Sequence, residues 1–315
     1  SIRRSVAIGL VYCLNFRYNS VMPTYTLPLL CINGRIDSYC VDDESQAGLS
    51  PLDRGLAYGD GVFETILLVD GLAPLLSFHH QRLLKGLSHL KIQLDSERLV
   101  NDVNKVLAIA KSFDDKRLIL KLTITRGVGG RGYQIDPDAK ATLMLQLFAC
   151  STDLTKHNGV SVHVCRETLS PISWAGLKTL NQLPYVLAAS ERLNTNFDEG
   201  LLLANNGELV EASARNVFIV KDDKILTPAL NKFGVAGVQR QFIIESLAQQ
   251  LGLHIVETTL KLESLFAADE VFLANSITGL WPVTHCHYKE HNYSWDVGMV
   301  TRSLQAMCHN VFFDE

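Results

Sequence analysis

Two hydrophobic periods share this chain, and neither dominates. Residues 117–126 alternate Leu118, Leu120, Leu122 and Ile124 with Ile119, Lys121, Thr123 and Thr125, the period of two with which a strand buries one face. Residues 78–90 instead repeat Leu83, Leu84, Leu87 and Leu90 at spacings of three and four. Residues 94–113 do the same with Leu99, Val103, Val106, Leu107 and Ala110, which makes two helices with one apolar side each. A chain carrying both periods must cover sheet faces with helices. Further strand patterns at 27–32, 62–69, 141–149, 160–165, 199–203, 217–220, 255–257 and 271–274 interleave with helical patterns at 183–194, 238–251 and 262–267. The regular strand–helix–strand rhythm of a doubly wound sheet is missing, so the expectation is an α/β (α+β) fold in two domains. Asn33-Gly34, Asp70-Gly71 and Asn205-Asn206-Gly207 mark hairpin turns, and Gly252 ends the helix before it.

The boundaries follow from these runs. Residues 28–150 form a small N-terminal domain, 151–158 a linker, and 159–315 a larger C-terminal domain. Residues 1–27 are expected to be an extension outside the core. Arg3-Arg4 and the apolar stretch to Leu14 imitate a secretory signal, but Asn15, Arg17 and Asn19 follow with no cleavage site, and Met22 is a natural start.

Composition narrows the function. With 47% hydrophobic residues and a net charge of -4, the chain has core material and lacks the basic excess of a nucleic-acid binder. No apolar run is long enough to span a membrane, which needs about 18 residues. The seven cysteines are odd in number and form no C-x-x-C pair, so they read as reduced thiols of a cytoplasmic protein, and no metal site is expected.

Lys178 and Glu211 are the candidates for chemistry. Lys178 sits in Trp174-Ala175-Gly176-Leu177-Lys178-Thr179-Leu180-Asn181, among small and apolar neighbours that desolvate an amine, as a Schiff-base lysine requires. Glu211 lies in a strand-like stretch, where a carboxylate can hold a protonated pyridine nitrogen. The run Gly127-Val128-Gly129-Gly130-Arg131-Gly132-Tyr133 matches neither a dinucleotide fingerprint nor a Walker loop. It reads either as a wide hairpin loop or as a mount that aims Arg126 and Arg131 at carboxylates. Gly237-Val238-Gln239 opens a helix, where amides serve capping or grip an anion. Asn275-Ser276-Ile277-Thr278-Gly279 offers hydroxyls and an amide, with turn formation as the alternative. Arg82 is either a salt-bridge partner or an anion's counter-charge.

Taken together, these words resemble the fold-type IV pyridoxal-phosphate enzymes, and within them the aminodeoxychorismate lyases. The resemblance runs in order from about Leu30 to Val283 through Y-G-D-G-V-F-E-T (58–65), H-H-Q-R-L (79–83), T-R-G-V-G-G-R-G-Y (125–133), G-L-K-T-L-N-Q-L (176–183), E-x-S-x-R-N-V-F (211–218), G-V-Q-R-Q (237–241) and N-S-I-T-G-L-W-P-V (275–283). It implies that Lys178 carries pyridoxal 5'-phosphate as a Schiff base and that Glu211 pairs with its ring nitrogen. Arg82, the amides of Val238 and Gln239, the Ser276 hydroxyl and the Ile277 amide would bind the phosphate. Arg126 and Arg131 would meet substrate carboxylates. The resemblance also implies a homodimer and the elimination of pyruvate from 4-amino-4-deoxychorismate to give 4-aminobenzoate, with a branched-chain or D-amino-acid aminotransferase as the alternative.

Overall fold

A computed structural model describes residues 27–38, 48–151 and 153–312, so the expected N-terminal extension lies outside the described residues except for Leu27. The chain divides between Ser151 and Thr152 into two compact units. The first contains β1 (Leu29–Ile32), β2 (Arg35–Ser38), α1 (Arg54–Tyr58), β3 (Gly61–Val69), α2 (Leu76–Leu90), α3 (Ser96–Ala110), β4 (Arg117–Thr125) and β5 (Thr142–Ala149). Its strands form an antiparallel sheet in the order β2-β1-β5-β4-β3. The apolar stripes of the helices supply Leu83, Leu87, Leu99, Val103 and Val106 to one core with Leu29, Ile66, Leu68, Leu118 and Leu120 from the sheet. Asp95 caps α3 by accepting the amides of Glu97 and Arg98 at 2.9 and 3.3 Å.

One residue breaks the apolar alternation of β3. Glu64 shares the buried face with Val62, Ile66 and Leu68 and is 1% exposed. A charge there is costly unless it is paired. Arg82 of α2 donates Nε to Oε1 at 2.9 Å and Nη2 to Oε2 at 2.5 Å, and His79 Nδ1 lies 2.6 Å from Oε2. Burial pushes the Glu64 carboxyl up, but Arg82 and then His79 outweigh it and hold the group at about 2. An ionised carboxylate only accepts, so His79 Nδ1 is the donor.

The second unit holds a mixed sheet in the order β11-β10-β9-β13-β14-β6-β7-β8-β12, with β15 paired to β14. These strands are β6 (Val160–Leu169), β7 (Glu199–Ala204), β8 (Glu208–Ala212), β9 (Asn216–Lys221), β10 (Lys224–Pro228), β11 (Ile255–Thr258), β12 (Leu260–Lys261), β13 (Glu270–Asn275), β14 (Gly279–Tyr288) and β15 (His291–Ser294). Its helices are α4 (Leu183–Ser190), α5 (Val238–Phe242), α6 (Leu262–Phe266) and α7 (Met299–Phe312). Val160, Val162, Leu201, Val217, Ile219, Leu273 and Val283 form its main core. Phe218 and Phe272, opposite each other in β9 and β13, stack at 4.8 Å.

Three features differ from expectation. The helix expected over 238–251 is interrupted: α5 passes into a π-helical turn at Ile243–Leu247 before Ala248–Gln250, and Gly252 at φ +67 then ends it. Residues 154–158, expected as linker, wind into a 3-10 turn that Asp153 caps through the Thr155 amide at 3.0 Å. Beyond His285, where no pattern was assigned, α7 buries Thr301, Leu304, Cys308 and Phe312 at helical spacing. Among the described residues no helix is long and apolar enough to cross a membrane.

Replacing Glu64 by Gln is expected to cost about 3–5 kcal/mol at neutral pH, because the buried Arg82 guanidinium loses the carboxylate that faces it. The native carboxyl, at about 2, lies below its ordinary 4.5, so its stabilisation is present above 4.5 and fades as pH falls towards 2. Urea unfolding of both proteins across that range should show the difference shrinking with acid; a constant difference would refute the pairing.

Candidate active site

Glu211 lies near the end of β8, 3% exposed, and receives donors from three separate segments. Tyr185 of α4 donates its hydroxyl to Oε1 at 2.6 Å, and the Val235 amide adds a bond to the same oxygen at 3.0 Å. Asn216 at the start of β9 donates Nδ2 to Oε2 at 3.0 Å and also to the Val235 carbonyl at 2.9 Å. The Val235 segment comes this close because residue 234 is glycine. Gly234 has φ +77, and a Cβ on it would sit 2.9 Å from Glu211 Oε1, Leu230 and Val210. Burial pushes the Glu211 carboxyl up to about 7, with Tyr185, Val235, Lys178 and Arg240 acting the other way. Burial and the adjacent carboxylate push Tyr185 up as well, so it remains a protonated donor.

Lys178 reaches this group through a short backbone bridge. Gly176 donates its amide to Gly234 at 2.9 Å and accepts from Ala236 at 3.0 Å, aligning 176 in parallel with Val235. Two residues on, Lys178 is half-buried and its charge stabilises the ionised form of Glu211. The fold thus brings the two residues singled out for chemistry into one electrostatic neighbourhood. Tyr185 and Asn216 complete it. Asn216 stands inside the Glu211 word and Tyr185 two residues beyond the Lys178 word, the only signal either carried.

The next helix starts at the same place. Gly237 is the N-cap of α5 and makes no side-chain cap; a Cβ there would lie 2.0 Å from Asn216 Oδ1. The helix's own bonding begins with the Gln241 amide on the Gly237 carbonyl at 2.9 Å. The Val238 and Gln239 amides therefore precede any partner from within the helix. In the turn after β13, Asn275 Oδ1 collects the Ile277 amide at 3.1 Å, the Thr278 amide at 3.0 Å and the Thr278 hydroxyl at 3.1 Å. The Ile277 amide thus already serves an Asn-centred turn that also contains Ser276. Trp281 lies beneath the Arg215 guanidinium, 3.2 Å from ring centroid to Cζ, with Glu199 3.6 Å from Arg215 Nε. Burial pushes Arg215 down to about 10 despite that carboxylate.

The three remaining arginines belong to the first unit. Arg82 is held by Glu64 as described above. Arg126 gives Nε and one Nη2 proton to Asp60 at 2.7 and 2.9 Å, the other Nη2 proton to the Leu90 carbonyl at 2.6 Å, and an Nη1 proton to the Lys91 carbonyl at 3.0 Å. Four of its five N–H groups are spent, two on Asp60 and two at the end of α2, which disfavours it as a substrate ligand. Arg131 is exposed in the loop between β4 and β5. Arg54, which the sequence did not flag, organises that loop. Its Nε meets Asp60 at 2.9 Å, and its Nη atoms take the carbonyls of Gly132 at 3.0 Å, Tyr133 at 3.3 Å and Gln134 at 3.4 Å. A Cβ on Gly129 would fall 2.6 Å from Arg54 Cδ, and one on Gly127 would fall 1.9 Å from the Lys140 carbonyl. Gly129 thus lets the loop wrap an arginine, and Gly127 lets it pass the Lys140 carbonyl. Burial raises the Asp60 carboxyl, but Arg126 and Arg54 outweigh it and lower the group overall.

The amino-transferase class IV family matches residues 61–286. An aminodeoxychorismate lyase of Vibrio harveyi is 33% identical over 258 residues, covering 81% of this chain and 93% of that protein. A putative branched-chain-amino-acid aminotransferase of Methanocaldococcus jannaschii is 32% identical over 267 residues, covering 84% and 91%. The crystal structure of 4-amino-4-deoxychorismate lyase from Pseudomonas aeruginosa superposes with a TM-score of 0.80 at 35% identity, covering 90% of this chain and 98% of that one. The chain belongs to the class IV aminotransferase family.

Replacing Tyr185 by Phe removes the shortest donor to Glu211, and the carboxyl should move further above about 7. A native pKa raised above the ordinary 4.5 means that the folded state holds the proton more tightly, so stability falls as pH rises from 4.5 to the native value. In the variant that fall should continue to higher pH, and above it the loss should reach about 1.5–3 kcal/mol, the worth of a hydrogen bond to a charged group. Urea midpoints of protein freed of cofactor, measured against pH, test this; superimposable profiles would refute it.

Proposed function

We propose that this chain is an aminodeoxychorismate lyase, converting 4-amino-4-deoxychorismate to 4-aminobenzoate and pyruvate with pyridoxal 5'-phosphate. The observation that carries this is the convergence of Lys178, Tyr185 and Asn216 on buried Glu211, in a chain alike to two such lyases over most of its length. The residues fit the cofactor. Glu211 Oε2 accepts one bond and has capacity for another, and a pyridinium N–H would return the carboxyl from about 7 towards the ordinary carboxylate range. The first-turn amides of Val238 and Gln239, with Ser276, suit its phosphate. The Ile277 amide would have to share itself with Asn275. Arg82 as phosphate counter-charge and Arg131 as a ligand for a substrate carboxylate rest on the sequence resemblance. Arg126 is better read as a positioning residue.

When bound, pyridoxal phosphate supplies a ring that accepts the electrons released by breaking a C–H bond beside an amine. The rest falls to the protein. Lys178 Nζ moves the proton from the ring carbon that bears the substrate amine. Glu211 keeps a positive charge on the partner it faces, and Tyr185, Val235 and Asn216 hold its carboxylate in one orientation. Pyruvate carries away the three-carbon side chain, and the ring left behind is aromatic, which favours the products.

A homodimer is in keeping with an apolar surface on and beside α4, where Leu183, Val186 and Leu193 are 66%, 61% and 71% exposed. A cytoplasmic setting is in keeping with the five free cysteines among the described residues. The likeness to a putative branched-chain aminotransferase favours amino transfer as the second reading.

The test is the purified enzyme with freshly generated 4-amino-4-deoxychorismate. Equal formation of pyruvate and 4-aminobenzoate is expected, and Lys178→Ala should abolish both together with the visible absorbance of bound cofactor. Amino transfer from a branched-chain or D-amino acid without either product would replace the lyase by the aminotransferase. In gel filtration, Val186→Asp should convert a dimer to monomers.

A further inference from the structure

We propose that the second unit carries a site for one divalent transition-metal ion of the zinc type, with His163 Nε2, Cys165 Sγ and the Glu191 carboxylate as its protein ligands. One ligand atom from each lies within 4.8 Å of the others, and bonds of about 2.0–2.3 Å to a shared tetrahedral ion would draw them in to about 3.3–3.8 Å. His163 and Cys165 are two apart on β6 and so project to the same face. Glu191 caps the C-terminal end of α4. The pair converges over Gly200 of β7: a Cβ there would lie 2.5 Å from Cys165 Sγ and 3.2 Å from His163 Nε2. Glycine at that position keeps open the space both atoms face.

The independent observation is the histidine. His163 is 8% exposed, and its Nε2 is buried without a hydrogen-bond partner. The ring's bond to the Val164 backbone is therefore made by Nδ1, and because it favours the protonated ring, Nδ1 is the donor. That leaves the Nε2 lone pair directed into the cluster, the arrangement in which metal-binding imidazoles are held. Phe197 packs on the ring at 5.2 Å. Glu191 accepts the Arg166 amide at 2.9 and 3.1 Å, the Glu167 amide at 2.8 Å and the exposed Arg166 Nε at 3.5 Å, the last of which an ion would have to displace or share. On binding, the Sγ–H bond breaks, an Sγ–metal bond forms and the proton leaves to solvent. A dication, one thiolate and one carboxylate then sum to zero, apart from the exposed Arg166 guanidinium beside the carboxylate. The nitrogen, sulfur and oxygen donor set selects zinc over magnesium or calcium. An occupied site would pin the end of α4, the helix whose Tyr185 holds Glu211.

The experiment is titration of the tag-free holoenzyme with Co2+, followed at wavelengths beyond the cofactor's absorption, then displacement by Zn2+. One Co2+ per chain with the visible bands of tetrahedral thiolate-bound cobalt is expected, with release of one proton and an affinity that rises about tenfold per pH unit. Cys165→Ser and His163→Gln should each weaken binding at least about 100-fold while the cofactor spectrum persists. Absence of those bands in the wild-type protein would overturn the proposal, a result that needs no variant to fold. So would unchanged binding in both variants. Neither outcome bears on the lyase assay.

Discussion

A carboxylate taken out of water has to be answered by donors, and in the second unit that requirement falls on Glu211. Its partners come from α4, from the start of β9 and from the loop before α5, so the carboxylate fastens together segments from residue 185 to residue 235. The close approach further requires glycines at 234 and 237, where any side chain would collide with Glu211 or Asn216. The neighbourhood of Lys178 and the start of α5 follow from these contacts. A buried group at about 7 is also responsive: a cation brought beside it changes its charge state within the neutral range.

The first unit applies the same rule with arginines. Glu64 takes Arg82 and His79, and Asp60 takes Arg54 and Arg126. Guanidinium groups that read in sequence as anion hooks are in part answers to the protein's own carboxylates. Arg126 shows the distinction best. Its place beside a glycine-rich run invited a substrate role, yet its protons go to Asp60 and to two carbonyls at the end of α2. Arg54 shows the converse: an unremarked residue whose fork holds the three carbonyls of the loop.

Periodicity made the central elements legible. β3, β4, β5, α2 and α3 lie where alternation and leucine spacing put them, because each buries one face against the same core. The short α1 was not legible, since five residues carry too little pattern and its cap, Asp53, is fixed by Thr125 and Thr142 from distant strands. The π-helical turn at Ile243–Leu247 and the length of β14, which contains Pro282, likewise depend on neighbours. Of the site, Lys178 and Glu211 stood out by the words around them, whereas Tyr185 and Asn216 carried no signal of their own. The trio His163, Cys165 and Glu191 escaped because a search for paired cysteines does not see ligands drawn from a strand and the end of a helix.

By itself the sequence determined the two hydrophobic periods, hence the mixed fold, and the residue types and words that mark a class IV enzyme, since these depend only on neighbours along the chain. Tertiary structure decided which charges are tools and which are fasteners. Hydrogen bonds and desolvation act over a few ångströms in space, so whether a lysine faces a carboxylate, or an arginine is already spent, is settled only when distant segments meet.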